Sequence, residues 1–474
     1  MPARSADTSS ARAPALIIME ETTMSCSMEI LHLLKDIAGE NHVYAGESIG
    51  QDYTHDECAS VSGTPDAVVE AADTESVSAV MKLCAERAVP VTVRGAGTGQ
   101  AGGCVAVNGG VVLSLKNMNR VLSYDEHAGT LTVQPGVLLQ DVKAEAEAHG
   151  KYYPPDPGEQ TATIGGNAAT DAGGPCAVKY GSTRSYVADA VIVLADGSAV
   201  RLGDRPEYAS VIGGEGALGV ITELTLRLAD KPKAQTILLL PFMDAESCIA
   251  AGLKLRAHEP AGLEYMDTDM VEYAGRVTGN PVFPVKLDGE RVGATLMLTL
   301  EGESEDALDE ELEAIAEEAE ELECLDILVV DTPTLKRDAA AAYAAFHTST
   351  ETAPGHGEVN VTLPPEQVAA YAAFAKEQGE AAGLTVLSYA HIGSGGVHVH
   401  AVSELPRAEF EPKFAALAAS LYEKCAALGG DTAGEYGVGC AKKAYLGEEK
   451  RAAFKAAKAA LDPRGILNPG KVAD

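Results

Sequence analysis

The chain has 474 residues, 46% of them apolar and 22% charged, as is typical of a globular protein with two to four domains of about 100–200 residues each. Its 70 acidic residues outnumber 36 Lys and Arg residues, so the formal net charge is −34. This charge excludes a broad surface for nucleic acid or anionic membranes, because both need clustered cations. A local basic pocket for a small anionic substrate is compatible with this net charge. No stretch of the chain approaches the ~20 apolar residues of a membrane span.

The cysteines and the first residues predict the cellular location. The nine cysteines are scattered, odd in number and never spaced as Cys-x-x-Cys, which disfavours disulfides, an iron–sulfur cluster or a structural zinc site and favours a reducing cytoplasm. Residues 1–27 are rich in Ser, Ala, Arg and Thr, and their one apolar run, 13–19, is followed at once by two glutamates. This pattern predicts a disordered N-terminal extension and no signal peptide.

Residues 28–232 are predicted to form a first domain in which strands and helices alternate. The hydrophobic periodicity predicts strands at 67–71, 90–94, 111–115, 130–134, 190–195 and 217–228, and helices at 74–87 and 138–148.

Residues 233–446 are predicted to form a second α/β domain, followed by a C-terminal segment, 447–474, with one helix and an irregular tail. The expected strands are 237–241, 295–300, 327–330, 359–363 and 386–390, and the expected helices are 245–258, 303–323, 334–346 and 366–382. The helix at 303–323 is rich in Glu, and we interpret this run as a solvated face.

A glycine loop follows the strand predicted at 90–94. Gly97, Gly99 and Gly102 match G-x-G-x-x-G, but a dinucleotide fingerprint must open a helix. The next residues are β-branched and interrupted by Asn108-Gly109, so no helix is expected and the Rossmann interpretation fails. Two alternatives are left open, a nest of backbone N–H groups that binds an anion and a plain glycine-rich turn.

Two further glycine-rich segments favour the binding alternative. The stiff Pro154-Pro-Asp-Pro157 leads into T-I-G-G-N-A-A-T-D-A-G-G at 163–174 and K-Y-G-S-T-R at 179–184, and G-G-E-G-A-L-G-V-I-T follows at 213–222. Three separate loops of small residues suggest one long ligand that lies against backbone.

In this order, the motifs resemble the FAD-binding domain of the vanillyl-alcohol oxidase / p-cresol methylhydroxylase (PCMH) superfamily, in the branch of D-lactate dehydrogenase, glycolate oxidase subunit and D-2-hydroxyglutarate dehydrogenase. The resemblance extends from about residue 45 to 472. It implies an α+β fold with a two-subdomain PCMH-type FAD-binding domain and an α/β, ferredoxin-like cap or substrate domain. The tail L-D-P-R-G-I-L-N-P-G-K at 461–471 is expected to return to the FAD domain.

The resemblance also implies which residues bind FAD. Residues 95–99 would wrap the pyrophosphate, Asp156 and 163–170 would line the ribityl chain and isoalloxazine, and 219–221 would lie near the adenosine half. Residues 98–101 contain no His, Cys or Tyr, so we expect non-covalent FAD. The full set carried over is Arg94, Gly95, Ala96, Gly97, Thr98, Gly99, Pro155, Asp156, Thr163, Gly165, Gly166, Asn167, Ala169, Thr170, Gly173, Gly174, Tyr180, Glu215, Gly219, Val220, Ile221 and Asn468.

A histidine cluster lies in the second domain. His391 and His398 would face opposite sides of a regular strand, but the glycines at 393–396 can supply a turn that brings both imidazoles together. His400 shares a face with His398, and Glu435 lies in a glycine-flanked loop. This is the composition of a His/His/carboxylate metal site, and histidines held by ordinary hydrogen bonds are the alternative.

The branch pattern H-x-G-D-G-N-x-H followed by G-E-H-G-x-G implies that His391, His398 and Glu435 bind a divalent metal such as Zn, Fe or Mn. The chain departs from this pattern at Ser394, at Gly396 and at Tyr436, which replaces the His expected to act as base. The implied chemistry is metal-assisted loss of the hydroxyl proton of a 2-hydroxy acid, with hydride transfer to flavin N5.

Three groups are candidate bases. Tyr436 has a reference pKa near 10 and is a poor base at pH 7 unless its environment shifts it; His400 and a metal-bound hydroxide are the alternatives. Lys442 and Lys443 are candidates to hold a carboxylate, with an exposed position as the alternative. The stretch 343–347 lacks the Arg that the branch often uses to bind the substrate carboxylate.

These observations predict an FAD- and metal-dependent dehydrogenase for a D-2-hydroxy acid such as lactate, glycolate or 2-hydroxyglutarate. Its electrons would pass to a protein acceptor, either an electron-transfer flavoprotein or an iron–sulfur subunit, and a homodimer is one possible assembly. The alternatives are a non-redox flavoenzyme of the alkyl-glycerone-phosphate synthase type and a non-catalytic flavin-binding subunit of an oxidase complex.

Overall fold

Residues 26–58 and 60–474 are described by a computed structural model. Of the extension predicted at 1–27, only Cys26 and Ser27 belong to the described residues, and the prediction otherwise lies outside them. The Ser27 hydroxyl accepts a hydrogen bond from the Ile30 N–H and so caps helix α1 (Met28–Ala38).

The first sheet follows α1 and has the order β1-β2-β4-β3. Its β2, β4 and β3 strands are parallel and almost wholly apolar, as expected for strands buried on both faces. Helices α1 and α2 pack on this sheet, and Asp73 caps α2. The bounds are β1 (Val43–Ala45), β2 (Ala67–Glu70), α2 (Thr74–Arg87), β3 (Val91–Arg94) and β4 (Val111–Ser114).

The second sheet is antiparallel with the order β5-β6-β10-β8-β9. The edge strand β5 escaped prediction, because its side chains are largely exposed and carry no apolar alternation. The bounds are β5 (Val121–Asp125), β6 (Thr130–Val133), α3 (Leu139–Ala148), β7 (Lys151–Tyr152), α4 (Ile164–Thr170), α5 (Ala177–Tyr180), α6 (Thr183–Tyr186), β8 (Val187–Val193), β9 (Ala199–Arg201), β10 (Val220–Arg227) and β11 (Ala229–Asp230), which pairs with β7.

The cap is an antiparallel sheet of seven strands in the order β17-β12-β16-β13-β19-β20-β18. Its strands are β12 (Ala234–Phe242), β13 (Gly262–Asp267), β16 (Ala294–Gly302), β17 (Leu328–Val330), β18 (Gly355–Thr362), β19 (Thr385–His391) and β20 (Gly396–Ser403), with a small hairpin of β14 (Lys286–Leu287) and β15 (Glu290–Arg291).

Helices cover both faces of the cap sheet because successive strand residues point to opposite sides. Leu238 and Leu240 pack under four helices, α7 (Ala245–Leu255), α9 (Glu305–Glu321), α11 (Val368–Ala382) and α12 (Arg407–Ala427). Ile237 and Leu239 face α8 (Thr268–Thr278) and α10 (Pro333–Thr350). Prediction missed β13 and α8, whose sequences mix acidic with apolar residues, and α12, which contains Pro412.

The chain ends against the first sheet. After α13 (Glu448–Leu461), the Val91 N–H donates to the Ile466 carbonyl at 2.7 Å, and the Asn468 N–H donates to the Val91 carbonyl at 2.6 Å. Buried Lys458 donates to the Ala217 carbonyl at 3.0 Å. The predicted return of the tail and the predicted α+β class are therefore confirmed.

Candidate active site

The three glycine-rich segments converge in space; we call them the first (95–103), second (161–174) and third (213–222) glycine loops. A Cβ atom on Gly95 would lie 2.2 Å from Thr163 Oγ1, so the first two loops approach this closely only because residue 95 is glycine. Gly97 adopts a φ of +89°, which is also suited to glycine. As expected, no helix follows Gly102 in the described residues up to β4.

Backbone hydrogen bonds join the second loop to the third. The N–H groups of Gly213 and Glu215 donate to the carbonyls of Ala168 and Ala169 at 2.9 and 2.8 Å. The side-chain amide of Asn468 donates to the Gly103 carbonyl at 3.0 Å and to the Glu215 carbonyl at 2.7 Å. One cradle of backbone therefore connects the three loops and the tail.

The cradle contains a feature that is typical of a site for a polar ligand. Asn167 is buried, yet its side-chain N–H₂ group has no hydrogen-bond partner, as a donor reserved for a ligand would be. The remaining predicted cofactor residues of these segments are Ala96, Thr98, Gly99, Pro155, Gly165, Gly166, Thr170, Gly173, Gly174 and Gly219.

Several predicted cofactor side chains are occupied by protein partners instead. Arg94 donates to the carbonyls of Asp52 and His55. Asp156 pairs with a lysine of α3 at 2.8 Å, and the Tyr180 hydroxyl bonds the Glu301 carboxylate of the cap. The side chains of Val220 and Ile221 are buried in the apolar cores.

The hairpin of β19 and β20 gathers the histidines on one face. His391 lies opposite Gly396, and Tyr389 lies opposite His398. Since 389 and 391 share a face of β19, and 396, 398 and 400 share a face of β20, both predicted histidine ligands and His400 lie on the side covered by α10. The glycine-rich turn has the expected effect.

His391, His398 and Glu435 form a group that could hold a metal ion, with their possible ligand atoms all within 4.8 Å of one another, and we call this group the first metal cluster. The Nε2 atoms of His391 and His398 lie 3.6 and 3.7 Å from the two oxygens of Glu435. Glu435 Oε1 accepts from the Gly174 N–H at 3.0 Å, and the Glu435 N–H donates to Asn360 Oδ1 at 2.7 Å. The cluster thus touches the second glycine loop directly.

Two carboxylates that the sequence analysis missed orient these imidazoles. Glu264 of β13 pairs with His391 in the sheet register, and its carboxylate bonds His391 Nδ1. Glu358 Oε1 of β18 lies 2.8 Å from His398 Nδ1. Carboxylates that hold the Nδ1 side of metal-binding histidines leave Nε2 free for the ion. The one sequence signal for these two carboxylates is a Glu within a strand that is expected to be buried, because a buried charge requires a partner.

The electrostatics of the first metal cluster also fit a cation. Burial opposes the charged forms, but the carboxylates of Glu264 and Glu435 raise the pKa of His391 well above its usual value. Burial likewise raises the pKa of Glu435, but His391 outweighs it and lowers this pKa to about 2. Without an ion, protonation of His391 offsets part of the charge of the three carboxylates Glu264, Glu358 and Glu435, and a bound divalent cation would take the place of that proton.

Tyr436 lies on the far side of His398 from Glu435. Its hydroxyl is 3.3 Å from His398 Nδ1, the nitrogen that Glu358 also contacts, and not on the Nε2 side. Burial, followed by the charge of Glu358, raises the pKa of Tyr436 well above 10. The phenol is therefore neutral at physiological pH.

Lys442 and His400 are both buried. Lys442 is 3% exposed and donates to the carbonyls of Asn360 and Ala433 at 3.0 and 2.9 Å, so the exposed alternative is wrong for it. Burial lowers the pKa of Lys442 to about 8 and that of His400 to about 4. Lys443 donates to the Gly470 carbonyl.

The stretch 343–347, which lacks the Arg of the branch, lies at this site. The Tyr343 hydroxyl bonds Glu264 and is 3.4 Å from His391 Nδ1. His347, one helical turn later on α10, lies 3.1 Å from Glu358 Oε2. Neither role was predicted, because the sheet register that brings Glu264 and Glu358 here is not visible in the sequence.

Two further features were considered in the sequence analysis, the cysteines and the lack of a membrane-spanning stretch. All nine cysteines lie in the described residues and are free. Among the helices described, none has the length and apolar character needed to cross a membrane.

Comparison with known proteins identifies the family. Residues 65–203 match the FAD binding domain family, and residues 231–472 match the family of FAD linked oxidases, C-terminal domain. The chain is 39% identical to a D-lactate dehydrogenase of Anaerostipes hadrus over 461 residues, covering 94% of this chain and 97% of that protein. It is 31% identical to the glycolate oxidase subunit GlcD of Bacillus subtilis, covering 89% and 91%.

A solved structure of p-cresol methylhydroxylase with bound substrate shares the fold, with a TM-score of 0.78, 19% identity, and coverage of 94% of this chain and 96% of that one. The two family matches correspond to the two parts of the fold. The first match contains the first two glycine loops, and the second match contains the cap sheet. The chain belongs to the family of FAD-linked oxidoreductases.

Proposed function

We propose that the protein is a dehydrogenase that binds FAD non-covalently and a divalent metal, and oxidises a D-2-hydroxy acid of the lactate, glycolate or 2-hydroxyglutarate class to the 2-oxo acid. The electrons pass to a protein acceptor, an electron-transfer flavoprotein or an iron–sulfur subunit. The observation that carries this proposal is the hydrogen bond from the Gly174 N–H to Glu435 Oε1 at 3.0 Å. It places the first metal cluster against a loop of the cradle, where a substrate can meet both cofactors.

His391, His398 and Glu435 would hold the metal, whose chemistry when bound is to polarise the substrate hydroxyl while FAD accepts the hydride. The chain's own carboxylates at 264 and 358 fix the imidazole rings through Nδ1. The Gly174 N–H and the Asn360 side chain fix Glu435. All four donors and acceptors act on groups that are buried or nearly buried, so the geometry is set before a substrate binds.

We assign Tyr436 a positioning role and not that of the base. Its hydroxyl contacts the Nδ1 side of His398, and its neutral phenol cannot accept a proton at pH 7. Lys442 also acts by positioning, since its ammonium bonds two backbone carbonyls and ties the Glu435 loop to β18.

Anaerobic flavin reduction tests the proposal. The purified protein, reconstituted with Zn²⁺, Mn²⁺ or Fe²⁺, is mixed with D-lactate, glycolate or D-2-hydroxyglutarate, with L-lactate as the control. We expect the visible flavin band to bleach with at least one of the first three, and free FAD to appear in the supernatant after acid precipitation. Reduced enzyme should be reoxidised by an electron-transfer flavoprotein and not by NAD⁺.

Flavin that stays oxidised with every D-2-hydroxy acid and every metal would contradict the proposed reaction. Flavin that remains attached to the precipitate would contradict non-covalent binding.

A further inference from the structure

A second cluster of ligand atoms lies beside the first, and of its three residues only Glu358 has a role in the proposed function. It consists of His347 on α10, Glu358 on β18 and His400 on β20, and we call it the second metal cluster. Its three ligand atoms lie within 4.8 Å of one another. Glu358 lies directly opposite His400 in the register of the two strands, and α10 brings His347 onto the same face.

The hydrogen bonds of His400 determine which of its nitrogens is free. The Thr350 hydroxyl donates its single proton to the His347 carbonyl at 2.8 Å. The same oxygen is 3.1 Å from His400 Nδ1, so Nδ1 must be the donor of that bond. His400 Nε2 therefore carries a lone pair, and this atom is buried with no partner. A buried imidazole lone pair without a hydrogen bond is available to coordinate a cation.

The other two members of the cluster present free atoms at the same point. Glu358 Oε1 is occupied by His398, whereas Oε2 is buried and has no hydrogen bond. His347 Nδ1 is also buried and lies 3.1 Å from Oε2, where a proton on the imidazole forms an ion pair with the carboxylate; a cation bound by both atoms would replace that proton. Its other nitrogen, Nε2, lies 3.3 Å from Glu351 Oε1 and 2.6 Å from the Gln100 amide. With a cation on Nδ1, Nε2 would carry the proton and donate it to Glu351, and the Gln100 amide would then present its oxygen to Nε2.

We propose that His347, Glu358 and His400 bind a second divalent cation of the zinc class. Two imidazole nitrogens and one carboxylate oxygen, with a fourth position for water, are a common ligand set for Zn²⁺. Without a cation, a proton on His347 Nδ1 holds this nitrogen next to Glu358 Oε2, and the lone pair of His400 Nε2 has no partner. The two clusters share no ligand, but Glu358 connects them because its Oε1 holds His398 of the first.

The second cation has a positioning role. It joins α10 to two strands of the cap sheet and fixes Glu358, which orients His398. Through Gln100 it also places the first glycine loop next to α10. The second site thus links the cap to the cradle, whereas the first site faces the substrate.

Metal counting on the complete protein tests this site. After reconstitution with Zn²⁺ and removal of free ions, we expect two ions per chain in the wild type, one in His347→Gln, one in His391→Ala and none in the double variant. His356→Gln is the matched control, because His356 is on β18 but outside both clusters, and it should keep two. FAD content and far-ultraviolet circular dichroism show that each variant is folded.

A His347→Gln variant with the zinc content of the wild type overturns the second site. The two proposals fail separately: if His391→Ala keeps all its zinc while His347→Gln loses one ion, the second site stands and the metal of the proposed function does not. A second measurement covers a His347→Gln protein that does not fold. In chelator-treated His391→Ala, added Zn²⁺ should still raise Tm, and an unchanged Tm there contradicts the second site.

Discussion

The flavin cradle and the first metal cluster are built in opposite ways. The cradle is made of backbone groups from three loops, and its closest approaches, such as Gly95 against Thr163, depend on missing side chains. The cluster is made of side chains on neighbouring strands and one loop, and it depends on sheet register to bring Glu264 opposite His391.

The difference shows what each part of the site tolerates. A backbone cradle fails when a side chain is added, because the loops can no longer meet. A side-chain cluster fails when an atom is removed, because buried charges then lose their partners. The two parts touch through Gly174 and Glu435, and the following substitutions separate them.

The largest effect is expected from His391→Ala, which should abolish the metal while the cradle keeps FAD. Loss of transition-state stabilisation worth several kcal/mol should lower the rate of flavin reduction by about 10³-fold or more. Stopped-flow reduction, elemental analysis and FAD content measure the three quantities. His127→Ala, in an exposed turn, is the control. If His391→Ala retained its metal, His391 would not be a ligand.

Gly95→Val is the reverse experiment. The new side chain would overlap Thr163 Oγ1, and strain of about 1–3 kcal/mol should weaken FAD binding by roughly 5–150-fold while the metal content stays unchanged. Equilibrium dialysis of FAD measures this loss. Gly447→Ala should bind FAD normally, since its Cβ would meet open space. Equal FAD affinity in both variants would remove residue 95 from the cradle.

Lys442→Met should change the pH dependence of stability, because it removes a buried ammonium group. Burial lowers the folded pKa of Lys442 to about 8, below the unfolded value near 10.4. Between these values the unfolded chain binds more protons, so this group raises the free energy of unfolding as pH increases, by up to ~3 kcal/mol.

Denaturant unfolding of wild type and Lys442→Met from pH 7 to 10.5 should show a larger rise in the wild type, because buried Lys471, whose pKa is also lowered to about 8, contributes to both proteins. Lys455→Met, exposed on α13, should behave like the wild type. Parallel profiles for wild type and Lys442→Met would show that the ammonium is not buried in its charged form.

Glu264→Gln removes the charge behind His391 without removing a metal ligand. Loss of such a partner is expected to lower metal affinity by 10–100-fold. Competition with a chromophoric chelator measures the affinity, and Glu423→Gln, exposed on α12, is the control. Unchanged affinity would mean that the sheet register contributes nothing to the first cluster.

Tyr436→Phe should have the smallest effect. Loss of one hydrogen bond, worth about 0.5–1.5 kcal/mol, predicts less than a ~15-fold decrease in flavin reduction and an unaltered pH profile. A catalytic base would instead contribute about 10²–10⁴-fold. Single-turnover reduction across pH 6–10 distinguishes them, and a large decrease with a changed profile would make Tyr436 the base.

The amino-acid sequence by itself determined the positions of the three glycine loops and the meeting of His391 and His398. Glycine positions and the order of the three loops are local properties, because a backbone loop is specified by consecutive residues. The turn at 393–396 is equally local, so the meeting of His391 and His398 followed from strand alternation. The family resemblance added Glu435, which no spacing rule connects to the histidines.

The tertiary structure alone decided the rest of the site. Glu264 and Glu358 reach the imidazoles through the pairing of β13 with β19 and of β18 with β20, which is a choice among many possible registers. Lys442 and Tyr436 lie in the segment between α12 and α13, and its contacts with the cap sheet place Lys442 in the interior and Tyr436 behind His398. Residues that are distant in the chain become partners only through the packing of the whole cap. The physical reason is that a buried charge is stable only when the element opposite it supplies a partner.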